Sequence, residues 1–225
     1  MKTLRQIRSF VRRESRLTNA QKRALDNLAA RYFIPENNQK LDFDALFGRH
    51  GNTVLEIGFG DGKSLAVMAQ AQPETNFLGI EVHRPGIGSL LQALEVAGLK
   101  NVRVSNRDAV VVIKNQVADN SLDAVHLFFP DPWPKKRHHK RRIINQAFLS
   151  EIARVLKPAG LLHLATDWQD YAAHMMQELG RHKSFRNKAG VNKYSDKPAY
   201  RPETKFERRG LKLGHKVRDI VFTRV

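Results

Sequence analysis

The sequence contains no cysteine, no long apolar run and comparatively few acidic side chains. Because thiols are missing, disulfides, zinc–thiolate sites and a cysteine nucleophile are excluded. No apolar run approaches the roughly 20 residues that span a bilayer, and the basic N-terminus does not lead into an apolar stretch with a small-residue cleavage site. We therefore expect a soluble, cytoplasmic protein that does not enter a membrane.

The charge of the chain is strongly one-sided. Lys and Arg number 39 against 22 Asp and Glu, which gives a formal net charge of +17 over 225 residues. Such a field attracts polyanions, and the release of counterions favours binding to nucleic acid. An anionic membrane surface is the alternative partner, but the balance favours nucleic acid.

Apolar runs alternate with helical patterns from residue 52 onward, whereas residues 1–34 are basic and loosely helical. This alternation is typical of an α/β fold with a doubly wound, mostly parallel sheet and helices on both faces. We predict a basic N-terminal extension over 1–50 and one sheet domain over 51–225. The predicted strands are 52–57, 76–82, 101–105, 122–129, 161–165 and 217–222, and the predicted helices are 63–70, 86–97, 143–156 and 168–179.

A glycine-rich turn follows the first predicted strand. Ligands of doubly wound sheets bind at the carboxyl ends of the strands, and glycines such as Gly58 and Gly60 let the backbone approach them closely. The spacing differs from that of a dinucleotide site, because Lys63 replaces the third glycine and Asp61 would repel a pyrophosphate. An acid is compatible with a cationic ligand, and S-adenosylmethionine carries a sulfonium and an ammonium but no phosphate.

Acidic residues stand at the ends of three successive predicted strands: Glu56, Glu81 and Asp108. Glu56 suits a cationic ligand for the same reason as Asp61. Glu81 can accept hydrogen bonds from both hydroxyls of a ribose, as acids do in NAD enzymes, and Asp108 can accept from an adenine amino group. Each could instead be a helix cap or a solvated loop acid. Three acids at successive strand ends favour a site for S-adenosylmethionine.

The fourth predicted strand leads into a loop that holds three prolines. Proline stiffens the chain, and Asp131, Trp133 and Lys135 follow the strand where a doubly wound sheet would place a substrate. The basic run 135–142 continues this loop and suits an RNA backbone better than a merely solvated face. The alternative is a stiff connection whose tryptophan packs on the core. The histidines of this run lack partners at metal-ligand spacing, so no metal site is expected.

Six motifs lie along the chain: RSFVRR at 8–13, LEIGFG at 55–60, GIEVH at 79–83, FFPDPWPKK at 128–136, ATD at 165–167 and TKFE at 204–207. Together they resemble the bacterial tRNA (guanine-N7-)-methyltransferase family, which belongs to the class I S-adenosylmethionine-dependent methyltransferases with a Rossmann-like fold. The resemblance covers nearly the whole chain. The glycine turn is common to many methyltransferases, whereas the stretch PDPWPKKRHHKRR and the later TKFE are specific.

The resemblance implies an activity and a set of site residues. The activity is the transfer of a methyl group from S-adenosylmethionine to N7 of a guanine in the variable loop of tRNA (position 46). Asp131 is implied as the catalytic residue. The implied cofactor site comprises Glu56, Gly58, Gly60, Glu81, Asp108 and Asp131. The implied substrate contacts are Lys135, Asp167, Thr204, Lys205, Phe206 and Glu207.

The chemistry of guanine N7 fits these residue types. N7 carries an in-plane lone pair and no proton, so transfer requires positioning and electrostatics rather than a general base. Asp131 can stabilise the charge that develops on the base, and Lys135 can donate to O6. On spacing alone, Thr204 and Glu207 form a capping box at a helix start. The alternative hypothesis is that Glu207 accepts hydrogen bonds from the guanine N1–H and amino group.

Three other functions are compatible with parts of the pattern. Methyltransferases that act on an exocyclic amine of another base carry two prolines after the acid, whereas one proline separates Asp131 from Trp133. A nicotinamide oxidoreductase is disfavoured by the missing third glycine and by Asp61. A non-catalytic RNA-binding protein on the same scaffold is disfavoured by the intact acids.

Overall fold

The computed structural model describes residues 8–11 and 16–225, apart from the side chains of Lys205 and Phe206. In this part of the chain, seven strands form one sheet. The strands are β1 (Thr53–Ile57), β2 (Asn76–Ile80), β3 (Val102–Ser105), β4 (Leu122–Phe128), β5 (Leu156–Thr166), β6 (Phe185–Asn187) and β7 (Arg218–Arg224). The helices are α1 (Asn19–Tyr32), α2 (Phe43–Phe47), α3 (Lys63–Ala71), α4 (Arg84–Val96), α5 (Ala109–Gln116), α6 (Gln146–Val155), α7 (Gln169–Arg181) and α8 (Lys205–Lys212), with a 3₁₀ helix at Lys136–Arg141.

The strand order is β3-β2-β1-β4-β5-β7-β6. Strands β1 to β5 run parallel to one another. Strand β7 pairs antiparallel with both β5 and β6. Two apolar clusters of buried residues cover the two faces of the sheet. The order reverses between β1 and β4, which opens a crevice at the carboxyl ends of these strands. The predicted doubly wound, mostly parallel α/β sheet is confirmed.

Helix α1 packs against the sheet domain, although it lies within the predicted extension 1–50. A capping box starts the helix, because the Thr18 hydroxyl accepts from the Gln21 N–H and the Gln21 side chain accepts from the Thr18 N–H. Gln21 Nε2 also donates to Ser89 Oγ of α4 at 3.0 Å. A Cβ at Gly88 would lie 2.8 Å from the Gln21 side chain, so the two helices touch closely. The described residues of this segment from 16 onward therefore pack as part of the same fold.

Strand β5 begins earlier than predicted. Pro158 and Gly160 suggest a break before residue 161, but the chain forms an irregularity there and pairs with β4 on both sides of it. Ala159 takes up the irregularity with a positive φ of 62°. Helices α2 and α5, the 3₁₀ helix and the short strand β6 add to the predicted elements, whereas α1 lies in the segment expected to be loosely helical and α8 begins at the expected capping box. None of the described helices is long and apolar enough to cross a membrane.

Candidate active site

A cavity of about 710 Å³ opens at the carboxyl ends of β1, β2 and β4, where the strand order reverses. It brings together residues from the glycine turn, from the ends of the strands and from the proline-rich loop. Five of the six predicted cofactor residues line it, namely Gly58, Gly60, Glu81, Asp108 and Asp131. The sixth, Glu56, is buried in β1 immediately before Ile57 and Gly58, which also line the cavity. The fold thus assembles the predicted cofactor residues at one place.

The glycine turn requires residues that tolerate a positive φ. Gly60 has a φ of 61° and Gly62 a φ of 76°, in the left-handed region that side chains disfavour. Gly62 is also the N-cap of α3, and a Cβ there would lie 2.4 Å from Leu90 Cβ of α4. Gly62 therefore permits close contact between α3 and α4, even though Lys63 stands in place of the third glycine of a dinucleotide site.

Glu81, directly after β2, holds the glycine turn in place. Its Oε2 accepts a hydrogen bond from the Gly60 N–H at 2.9 Å. Its Oε1 accepts from the N–H groups of Val82 at 2.7 Å and His83 at 2.9 Å. A carboxylate has about four lone-pair positions, so these three bonds leave capacity for a ligand. The structure adds an anchoring role for Glu81, and the ribose contact stays a prediction.

Asp108 is the N-cap of α5, where its Oδ1 accepts from the Val110 N–H at 3.0 Å. The helix-cap alternative is therefore correct for this residue. Asp108 also lines the cavity. The two roles are compatible, because one carboxylate oxygen is sufficient for the cap.

Glu56 is the most unusual acid of the site. It is 2% exposed, and its Oε2 has no hydrogen-bond partner among the described residues. Burial, with a smaller contribution from the negative charge of Glu81, raises the pKa of Glu56 to about 8. A buried carboxyl without a partner is costly in a folded protein. Its position beside the glycine turn identifies a place where a positive charge would be stabilised.

The proline-rich loop holds Asp131 exposed at the cavity. Phe129 before it and Trp133 after it both have positive φ values, of 51° and 48°. Such conformations are strained for bulky residues and persist only where the surroundings fix them. Arg142 fixes the loop from behind, because its Nε donates to the Pro132 carbonyl at 3.0 Å.

Arg142 differs from the rest of the basic run, which sequence reasoning treated as one RNA-facing surface. It is 4% exposed and forms an ion pair with Asp170, and its guanidinium lies 4.9 Å from the ring centroid of Tyr171. Nothing in the basic run distinguishes Arg142 from its neighbours, because its partners are 28 and 29 residues away. The last residue of the run therefore supports the loop instead of facing solvent.

The remaining cations of the run form a charged surface beside the cavity. The 3₁₀ helix Lys136–Arg141 has no buried residue, and Lys135 just before it is exposed. The Arg141 guanidinium lies 4.9 Å from the Trp133 ring centroid. The Trp133 indole N–H donates to the Ser9 carbonyl at 3.1 Å, so the described part of the N-terminal segment also reaches the cavity. The arrangement can place a polyanion directly next to the cavity.

Asp167 follows β5, the strand next to β4, and lines a second cavity of about 530 Å³. Its Oδ2 lies 3.2 Å from the His215 Nδ1. Lys216 and Arg218 line the same cavity. Asp170 lines it as well, so the cavity holds two acids and two cations, and the substrate contact of Asp167 stays a prediction.

Thr204 and Glu207 form the capping box of α8, as the spacing predicts. Glu207 is 4% exposed, and both of its carboxylate oxygens bond to the guanidinium of Arg201. These contacts favour the structural interpretation of Glu207, and its contact with a guanine edge stays a prediction. The side chains of Lys205 and Phe206, two further predicted substrate contacts, lie outside the described part of the structure.

Sequence reasoning missed a buried polar network beside the loop. It consists of Arg201, Glu207, Asp219, His163 and Tyr200, linked by hydrogen bonds and ion pairs. Its members come from β5, β7, α8 and the segment before α8, so no local pattern identifies the network. The available signal is that His163 is a polar residue within the otherwise apolar run 161–165 of β5, which predicts a buried polar side chain. Among the described residues, no group of three or more His, Cys, Asp or Glu is placed to hold a metal ion.

Comparisons with known proteins identify the family and the fold of the chain. A family model described as "Putative methyltransferase" matches residues 50–220. Among solved structures, the 16S rRNA methyltransferase KamB superposes with a TM-score of 0.58 at 16% identity, covering 81% of this chain and 92% of that one. At this identity the likeness supports the fold alone.

Curated relatives are far more similar. The tRNA (guanine-N(7)-)-methyltransferase of Hydrogenovibrio crunogenus is 52% identical over 98% of this chain and 92% of its own length. The enzyme of the same name from Klebsiella pneumoniae is 51% identical over 99% of this chain and 93% of its own length. The chain therefore belongs to the tRNA (guanine-N(7)-)-methyltransferase family.

Proposed function

We propose that this protein transfers a methyl group from S-adenosylmethionine to N7 of a guanine in the variable loop of tRNA, at position 46. The observation that carries the proposal is one cavity in which acids from successive strand ends meet the glycine turn, beside an exposed basic helix. Membership of the family supports the choice of N7 and of tRNA.

The residues of the cavity fit S-adenosylmethionine better than a nucleotide that carries phosphates. The buried, unpartnered Oε2 of Glu56 favours a cationic group. Gly60 offers no free anion-binding N–H, because that N–H already donates to Glu81. When bound, S-adenosylmethionine supplies a methyl group activated on a positively charged sulfur. In the bound state Glu56 would provide the counter-charge for its ammonium, Glu81 would accept from the ribose hydroxyls and Asp108 would accept from the adenine.

We assign the action on the acceptor base to Asp131. It lies at the cavity in a loop whose backbone is held by Arg142 on one side and by the end of β4 on the other. A purine methylated at N7 carries a positive charge, and a fixed carboxylate stabilises that charge without reorganising. Lys135 donates to O6, the acceptor next to N7. No residue is needed to remove a proton, since N7 carries none.

The basic surface supports a tRNA partner. The chain carries a net charge of +17, and Lys136, Arg137 and Lys140 lie exposed beside the cavity. Contacts between these cations and phosphates position the RNA without reading its sequence. The choice of base then depends on residues inside the cavity.

The test is to incubate the protein with unfractionated tRNA and methyl-labelled S-adenosylmethionine and to identify the labelled nucleoside and its position. We expect 7-methylguanosine in the variable loop. Asp131→Asn is expected to lower the transfer rate about 100-fold with little change in melting temperature. Asp119→Asn, an exposed aspartate before β4 at the opposite end of the strand, is the matched control and retains the rate.

Two outcomes would contradict the proposal. Label on an exocyclic amine of another base would indicate the alternative methyltransferase. Tight binding of tRNA without any label in the RNA would indicate a binding protein on a methyltransferase scaffold.

A further inference from the structure

Arg201, in the segment just before α8, has one of the largest fully buried side chains among the described residues. Its side chain is 0% exposed, and two carboxylates surround its guanidinium. Nε and Nη2 donate to the Asp219 oxygens at 2.6 and 2.9 Å, while Nη1 and Nη2 donate to the Glu207 oxygens at 2.6 and 3.0 Å. The guanidinium thus pairs with two buried acids in a forked geometry that only arginine can provide, and Lys197 Nζ adds a contact to Glu207 Oε1 at 3.2 Å.

The two acids belong to different parts of the fold. Asp219 lies in β7, and Glu207 lies in the first turn of α8, where it caps the helix together with Thr204. Asp219 is braced in turn by His163 of β5, whose Nε2 is 2.8 Å from Asp219 Oδ1. Arg201 therefore fixes the start of α8 relative to the central sheet.

A third contact of Arg201 reaches the start of the proline-rich loop. Its guanidinium carbon lies 5.9 Å from the ring centroids of both Phe128 and Phe129. Phe128 is the last residue of β4 and Phe129 follows it; both line the cavity and lead directly into Pro130 and Asp131. Phe129 has a positive φ of 51°, a conformation that requires support from its surroundings.

We propose that Arg201 is a positioning residue that holds the Thr204–Glu207 turn and the base of the Asp131 loop in one fixed geometry. This inference rests on the proposed function, because it concerns the same reaction. Arg201 does not touch the reacting atoms. Arg201 contacts the start of the loop through Phe128 and Phe129, and it contacts the turn through Glu207. The loop and the turn are therefore held in a fixed position relative to each other.

The test compares Arg201→Lys with Arg154→Lys. Lysine keeps the charge but has no fork, so it cannot hold both acids in the same way. Arg154 is the matched control, since it also binds two carboxylates, those of Asp119 and Glu151, but at the opposite end of the sheet. For each variant we would measure S-adenosylmethionine affinity by calorimetry, melting temperature, and the single-turnover transfer rate at saturating tRNA and cofactor.

For Arg201→Lys we expect the single-turnover rate to fall about tenfold or more, with cofactor affinity nearly unchanged. Arg154→Lys is expected to lower the melting temperature by a smaller amount, because its ion pairs are partly exposed, while its rate stays near that of the unmodified protein. A normal saturated rate in Arg201→Lys, with only its melting temperature lowered, would overturn the proposal. A failure of the proposed function itself would be recognised separately, because the unmodified protein would then transfer no methyl group to tRNA N7.

If Arg201→Lys does not fold, Tyr200→Phe decides. This change removes only the hydroxyl that lies 2.9 Å from His163 Nδ1 and keeps the ring that stacks on His126. Loosening the network in this way is expected to lower the saturated rate about threefold, the effect of one neutral hydrogen bond, with unchanged cofactor affinity. An unchanged rate in Tyr200→Phe would overturn the proposal in that case.

Discussion

Glu56→Gln should make the ligand-free protein more stable above neutral pH, although it removes a residue of the site. The pKa of Glu56 lies at about 8 instead of 4.5, because burial and the charge of Glu81 disfavour its ionised form. Below pH 4.5 the carboxyl is protonated in the folded and the unfolded chain, so its ionisation has no effect on stability. Between these pKa values the unfolded chain releases the proton and the folded chain keeps it, which favours unfolding progressively as pH rises.

The size of the effect follows from the two pKa values. One pKa unit corresponds to about 1.4 kcal/mol, so the full shift destabilises the folded protein by about 5 kcal/mol above pH 8. Most of this loss, about 3–4 kcal/mol, accumulates between pH 5 and pH 8. Glutamine has nearly the same shape and stays neutral at every pH. The unfolding free energy of Glu56→Gln minus that of the unmodified protein should therefore rise by this amount across the interval.

The assay is urea denaturation of both proteins at several pH values, followed by circular dichroism without cofactor. Glu74→Gln serves as the control, because this side chain is 94% exposed in a turn and loses the same charge. Its stability difference should stay flat with pH. A flat difference for Glu56→Gln as well would refute the reasoning, since the folded protein would then hold an ionised carboxylate without penalty.

Three further predictions concern the cofactor, the RNA and the loop. Glu81→Ala should weaken S-adenosylmethionine binding by about 1–3 kcal/mol by calorimetry, and an unchanged affinity would remove Glu81 from the ligand contacts. Replacing Lys136, Arg137 and Lys140 by glutamine should flatten the salt dependence of tRNA affinity, with a log–log slope smaller by about 2–3; an unchanged slope would mean that other cations bind the phosphates. Arg142→Leu should lower the unfolding free energy by about 1–3 kcal/mol in urea melts and also the transfer rate, and normal values of both would show that the loop is held without it.

The sheet and the cofactor acids could be predicted because their signals are local. Apolar runs of four to seven residues separated by helical patterns lead to parallel strands, and the carboxyl ends of such strands meet at one edge. Glu56 lies near the end of the first such run, Glu81 directly follows the second and Asp108 comes shortly after the third, so their proximity in space follows from the periodicity alone. The residues of the proline-rich loop are placed by the same rule.

The residues that hold the site together could not be predicted, because their partners are distant in sequence. Arg201 binds Asp219, 18 residues later, and His163 binds the same acid across 56 residues. In a strongly basic chain, each further arginine resembles a surface cation. Arg142 and Arg201 were therefore indistinguishable from RNA-binding residues until packing placed them in the interior.

The acids of the site differ in whether the ligand-free fold already uses them. Glu81 binds three backbone N–H groups and Asp108 caps a helix, so both carboxylates are oriented before any ligand arrives. Glu56 alone among these three keeps a buried oxygen without a partner. A fold selected only for stability would replace it, because a neutral residue of the same shape removes the penalty. An acid at this position therefore fits a function that requires a negative charge there. Glu56→Gln would measure what this acid costs in stability.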